Sequence, residues 1–297
     1  MTARPIPQPA MTLSVFFQHA KEAAAQRGED LSATLRRFRA AGIETVELDL
    51  GDATPETRAV LRAAGLRVGS VPIWFDFADP AFDPADTSFL HRPLDMEATH
   101  LLILPALRRP DDAPDAFART IDGVRAVSAH CRAAGIVPVV ENFDDLRSPT
   151  CRPGDIARLL AEVPDLAFNF DTGNFAILDE SPLDLYPRFS GRIAYLHAKD
   201  RSPSPEHGGS PLATQGGATL YGCPVGSGDI PFEALFRRLA ADGTDVPVAI
   251  ECYGVRDMNA AVLGSARFLA PLLRQRREPC AAESSRRSIP VGAPLHA

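Results

Sequence analysis

Residues 131–141 read CRAAGIVPVVE, and the fold turns on how this stretch is read. The segment before it carries Phe117, Ile121, Val124 and Cys131 at helical spacing, which gathers apolar side chains on one helix face. Ala133, Ala134 and Gly135 then suit a helix end, where glycine adopts the left-handed conformation at little cost. A β-rich run follows at once and closes on Glu141. The same phrase recurs as FRAAGIETVEL at 38–48, LRAAGLRVGSV at 61–71 and LAADGTDVPVAIE at 239–251. Four copies of helix, glycine and strand imply βα units carrying parallel strands.

Working outward, strands are expected at 13–17, 45–50, 67–74, 99–105, 136–142, 166–171, 192–200 and 246–251. Asp30 is a candidate cap before Leu31, Leu35 and Phe38, and Thr54-Pro55 reads as a cap followed by proline at the first helical position. Eight such units in 297 residues predict a single-domain α/β protein, a (β/α)8 TIM barrel. An open dinucleotide-binding sheet is disfavoured, because no glycine-rich turn follows the first strand. The expected divisions are an N-terminal extension over 1–11, the barrel over 12–275 and a disordered tail over 276–297, with Cys280 and His296 incidental. Residues 201–230 form a long Gly/Ser/Pro-rich excursion between the last two strands, expected to cover the barrel mouth as a lid.

The bulk composition narrows the function. With 45% apolar residues, a net charge of −7 and only two lysines, Lys21 and Lys199, the chain does not look like a nucleic-acid binder. Five cysteines without a C-x-x-C pair suggest reduced thiols, and no stretch reaches membrane-spanning length, so a cytoplasmic protein is expected. No G-x-S-x-G, Walker or H-E-x-x-H motif is present, and His130 and His207 read as surface residues. VGSGDIPF at 225–232 reads as a turn into a helix, since Pro231 stands where a dinucleotide fingerprint needs glycine.

Side-chain alternation gives the candidate site. Val137, Val139 and Glu141 share one face of their strand, as do Ala167, Asn169 and Asp171, then Ile193, Tyr195 and His197, then Pro247, Ala249 and Glu251. Alone, a strand-end glutamate is more often a solvated rim residue and a histidine a hydrogen-bonded core residue. Four in agreement on adjacent strands place Glu141, Asp171, His197 and Glu251 together at the carboxyl ends, where barrel sites lie. Three carboxylates and an imidazole crowd acceptably around a divalent cation held by oxygen and nitrogen ligands.

ENF (141–143), FDTGN (170–174), YLHAKD (195–200), VGSGDIPF (225–232) and AIE (249–251) together resemble the sugar phosphate isomerase/epimerase family with its xylose isomerase-like barrel. The resemblance implies one divalent ion (Mn2+, Mg2+ or Co2+) on Glu141, Asp171, His197 and Glu251. It also implies a metal-dependent isomerase or epimerase of a polyhydroxy carbonyl compound, working through an enediolate. Glu141 and Glu251 would then move the proton, and Lys199, Arg201 and Asn174 would bind substrate. The chain departs from ketose 3-epimerases in having Asn174 where they carry histidine and Pro203 where they carry arginine. A dehydroshikimate-dehydratase-like lyase on an acidic keto substrate is the alternative, ahead of an endonuclease IV-like enzyme or a non-catalytic binder. The expected partner is a small carbohydrate-like molecule, with a homo-oligomer left open and neither nucleic acid nor membrane expected.

Overall fold

The computed structural model describes residues 11–110 and 112–274; the expected tail and all of the expected extension but Met11 lie outside the described residues. The described residues form ten strands: β1 (Leu13–Phe16), β2 (Ile43–Glu47), β3 (Arg67–Phe75), β4 (His100–Pro105), β5 (Val137–Glu141), β6 (Ala167–Asp171), β7 (Ile193–Ser202), β8 (Pro211–Ala213), β9 (Thr219–Cys223) and β10 (Val248–Glu251). β1 to β7 run parallel in sequence order, and β10 pairs in parallel with both β7 and β1, which closes an eight-stranded barrel. The helices are α1 (Phe17–Arg27), α2 (Leu31–Ala40), α3 (Pro55–Ala63), α4 (His91–Asp95), α5 (Ala116–Ala133), α6 (Pro153–Glu162), α7 (Pro182–Phe189), α8 (Phe232–Ala241) and α9 (Met258–Arg274).

The repeated glycine does what its position demands. Gly42, Gly65, Gly135 and Gly243 all have positive φ, between 67° and 95°. Around Gly42, Gly135 and Gly243 a Cβ would meet nothing within 4 Å, so backbone conformation rather than space requires glycine there. The residue after each of the last three donates back into the helix, Leu66 N to Leu61 O at 2.9 Å, Ile136 N to Cys131 O at 2.9 Å and Thr244 N to Leu239 O at 3.0 Å. This is the Schellman closure, and it turns the chain straight into the next strand. Helix starts follow the sequence too: Asp30 accepts from Ser32 N, and Thr54 from Thr57 N ahead of Pro55.

Alternation along the strands sorts two apolar layers. Phe16, Leu102, Leu104, Val137, Val139, Ala167, Tyr195 and Ala249 fill the barrel interior. Their neighbours in sequence, such as Val140, Phe168, Leu196 and Ile250, pack outward against the helices. Each buried aliphatic or aromatic side chain contributes roughly 1.5–3 kcal/mol, and that apolar support holds the polar strand ends in place.

The excursion at 201–230 differs from its expected form. β7 runs on through Ser202 beyond the barrel and pairs antiparallel with β9, which pairs with β8, so much of the segment is a hairpin rather than a loose lid. Its glycines serve close packing: a Cβ on Gly209 would lie 1.7 Å from the Gly222 carbonyl oxygen, and one on Gly228 2.3 Å from that of Arg201. The buried Asp200 carboxylate accepts from the backbone N–H groups of Gly226, Gly228 and Ile230 at 2.8, 2.9 and 3.2 Å. The VGSGDI stretch is therefore a clamp on Asp200 as well as the approach to α8.

Candidate metal centre and active site

β5, β6, β7 and β10 carry Glu141, Asp171, His197 and Glu251 to the same end of the barrel, all buried. His197 is the hub. Its Nδ1 lies 3.0 Å from Glu141 Oε2, 3.1 Å from Glu251 Oε2 and 3.8 Å from Asp171 Oδ2. Phe16 supports the ring edge-on at a centroid distance of 5.1 Å.

The DTGN turn explains how Asp171 is held. Its Oδ1 accepts from Gly173 N and Asn174 N at 2.8 and 2.9 Å, while its backbone is bracketed by the Asn142 amide, which accepts from Asp171 N and donates to Asp171 O. A Cβ on Gly173 would meet the Lys199 carbonyl oxygen at 2.8 Å, so glycine is needed for the turn to approach β7. Asp171 Oδ2 is left without a hydrogen-bond partner, and so is His197 Nδ1. Two orphaned polar atoms in a buried pocket are costly unless something else satisfies them. Glu141, Asp171 and His197 each offer a ligand atom, and the three atoms lie within 4.8 Å of one another. An oxygen, oxygen and nitrogen donor set of this kind fits a divalent cation.

The charges point the same way. Burial, reinforced by Glu251 and Asp171 against the opposing effect of His197, pushes the Glu141 carboxyl up to about 7. Burial likewise raises Asp171 to about 6, with Lys199 opposing and Glu251 adding to the shift. Burial acts to lower His197, yet Glu47 and the three other carboxylates outweigh it and hold the ring well above the ordinary value. Glu251 goes the other way: burial would raise it, but Lys199 and His197 keep it well below the carboxylate range. Lys199 Nζ lies 2.7 Å from Glu251 Oε1 and 3.2 Å from Asp144 Oδ2.

Lys199 and Arg201 both line the central cavity, a space of about 810 Å3, and both pair with Asp144. Arg201 is 5% exposed and its Nε has no partner. Asn174, expected at the substrate, sits behind Lys199 instead, donating to Asn142 O and accepting from Lys199 Nζ, each at 2.8 Å. It does not line the cavity.

Sequence reasoning missed two acidic residues. Glu47, at the end of β2 and 2% exposed, places Oε2 3.1 Å from His197 Nε2. Glu47 thus meets the ring on the nitrogen opposite the one that faces the three other carboxylates. The alternation Thr45, Glu47, Asp49 carries the same signal that identified Glu141. Asp144 belongs to the loop after β5, where no periodicity marks it. His130 is at the surface as expected, its Nε2 2.9 Å from Pro84 O, and His207 is partly exposed. Cys131, Cys151, Cys223 and Cys252 are buried free thiols.

A closed parallel barrel of eight strands ringed by helices defines a TIM-barrel protein. The family described as the xylose isomerase-like TIM barrel matches residues 35–272, and the chain belongs to it. Over 126 residues the sequence is 28% identical to the uncharacterised protein YihM of Escherichia coli K12, a stretch covering 42% of this chain and 34% of YihM. The chain thus matches about a third of that relative's length.

Among solved structures, a D-allulose 3-epimerase from a Methylomonas species in complex with D-allulose gives a TM-score of 0.67 at 15% identity, over 92% of this chain and 99% of that one. The probable 3-DHS dehydratase AsbF of Bacillus anthracis gives 0.61 at 14% identity, over 88% and 99%. A xylose isomerase-like TIM barrel protein from Mycobacterium smegmatis in complex with magnesium gives 0.63 at 18% identity, over 90% and 97%. At these identities the likeness is one of fold. No helix among the described residues is long and apolar enough to cross a membrane.

Proposed function

We propose that the chain is a divalent-metal-dependent isomerase or epimerase of a sugar or related polyhydroxy carbonyl compound. The observation that carries this is the convergence of Glu141 and Glu251 on one imidazole nitrogen, at 3.0 and 3.1 Å, at the wall of a cavity open to a small molecule. Glu141, Asp171 and His197, with Glu251 beside them, would hold the ion. When bound, the ion would polarise the substrate carbonyl and its neighbouring hydroxyl, acidifying the C–H bond between them.

The remaining work falls to the chain. One glutamate takes the proton from carbon and the other returns one, which requires carboxylates on opposite sides of the reacting carbon. Lys199, held by Glu251, Asp144 and Asn174, is a fixed cation that stabilises negative charge developing on the substrate oxygen. Asn174 acts in this reading as a positioning residue for Lys199. The hairpin residues Ser210, Pro211 and Leu212 line the same cavity and limit water around the reacting carbon.

A second reading, a dehydratase-like lyase acting on an acidic keto substrate, draws on Arg201, a second cation beside Lys199 on the cavity wall. One experiment separates the two. The protein with added Mg2+, Mn2+ or Co2+ is incubated in deuterated water with a panel of ketoses and cyclic keto acids. Deuterium next to the carbonyl of a ketose, with an isomeric product, supports the isomerase; loss of water from a keto acid supports the lyase. A result with neither exchange on a ketose nor loss of water from a keto acid would overturn both.

A further inference from the structure

The cavity has two unlike walls. One carries Glu47, Glu141, Asp144, His197, Lys199 and Glu251; β3 and β4 give the other Ile73, Trp74, Leu102 and Leu104. Among the described residues, the exposed large apolar side chains are Trp74, Leu94, Leu146 and Tyr253, and both aromatic ones line this cavity. Trp74 is 54% exposed and meets Phe143 edge to face at a centroid distance of 5.4 Å. An indole left wet beside an apolar wall can recover hydrophobic and aromatic contact only from a ligand that brings an apolar face.

The size agrees. About 810 Å3 falls in the range of pockets that enclose a drug-sized ligand. A free monosaccharide would engage the charged wall and offer the apolar one only the narrow C–H face of its ring. Resting on the isomerase reading for the charged wall, we infer that the substrate is a polyhydroxy carbonyl compound bearing a flat, weakly polar substituent, such as an aryl group, seated on Trp74 and Phe143. The polyol part meets the carboxylates and Lys199, and the substituent covers the indole.

Trp74 is the chain's single tryptophan, so its fluorescence reports on this wall alone. The full-length protein is titrated with phenyl β-D-glucopyranoside and with methyl β-D-glucopyranoside, which share a polyol and differ in the substituent. The phenyl compound is expected to bind about tenfold more tightly or better and to change Trp74 emission, the scale set by one aromatic contact with its buried area. By calorimetry, Trp74→Ala should bring the phenyl compound down to the affinity of the methyl one, and Trp74→Phe should keep most of the preference. Thermal unfolding confirms that each variant folds.

Equal affinities, no binding of either compound, or a preference that survives Trp74→Ala would overturn the inference. The ratio is read without turnover. A phenyl preference in a protein that exchanges no proton on any ketose would therefore sink the isomerase reading and leave the apolar subsite standing, and exchange without a preference would do the reverse.

Discussion

His100 and His197 sit at opposite ends of the same barrel, each 1% exposed, and their protonation is driven in opposite directions. His100 begins β4, with Nδ1 2.9 Å from Thr99 Oγ1 and its ring against Tyr195, and burial lowers it to about 4. His197 lies towards the carboxyl end of β7, where Glu47 and three further carboxylates overcome the same burial and raise it. Burial alone therefore says nothing about what a histidine does here; the neighbours decide. The amino end uses an imidazole as a neutral packing group. The carboxyl end gathers three further carboxylates around its imidazole, and the two ends of the strands differ in this way.

The largest effect is expected at the carboxylates of the carboxyl end. Glu141→Gln and Glu251→Gln should each lower turnover, or solvent exchange next to the carbonyl, by roughly 10²-fold or more, because size and one oxygen ligand remain while the basic group is lost. Metal binding should survive in part. If both variants turned over at near-parental rates, neither glutamate would be moving the proton, and the isomerase reading would fall.

Glu47→Gln tests the imidazole from its other side. Loss of the negative charge facing Nε2 should cost about 10- to 100-fold in metal affinity, the usual scale for a group that orients a ligand from behind. Calorimetric titration of Mn2+ against parent and variant measures it, and unchanged affinity would show that His197 needs no such partner.

At the amino end the expected effect is on folding. The pKa of His100 in the folded state is near 4 against an ordinary 6.5, so the unfolded chain takes up a proton first. Stability contributed by the neutral ring is full above about pH 6.5 and declines as pH falls towards 4; between pH 7 and 5.5 the loss is about 1 kcal/mol. His19, also lowered to about 4 by burial, adds in the same direction. Urea unfolding of His100→Gln at the two pH values should show a smaller drop than the parent. An identical drop would remove His100 from the account.

The smallest effect is expected at Asp200. Asp200→Asn keeps one acceptor oxygen for the N–H groups of Gly226, Gly228 and Ile230 and should cost about 1 kcal/mol, with faster proteolysis confined to the neighbouring hairpin. Cleavage at the parental rate would mean that the β7–β9 pairing holds the hairpin without the clamp.

The barrel was legible in the sequence because its signals are local. A glycine at a positive φ, a cap at Asp30 or Thr54 and alternation along a strand all depend on neighbours a few residues away, and together they give the eight-unit order and the facing of Glu141, Asp171, His197 and Glu251. Glu47 was equally available by alternation, but only closure of the barrel carries β2 across to β7. What the tertiary structure decided rests on contacts distant in sequence: Asp144 drawing together Lys199 and Arg201, Asn174 turned behind Lys199 rather than into the cavity, and the 201–230 excursion ordered as a hairpin by β7 and Asp200. Periodicity records which face a side chain takes. It does not record which residues from other strands that face will meet, because those distances are set only when β10 joins β1 and the ring closes.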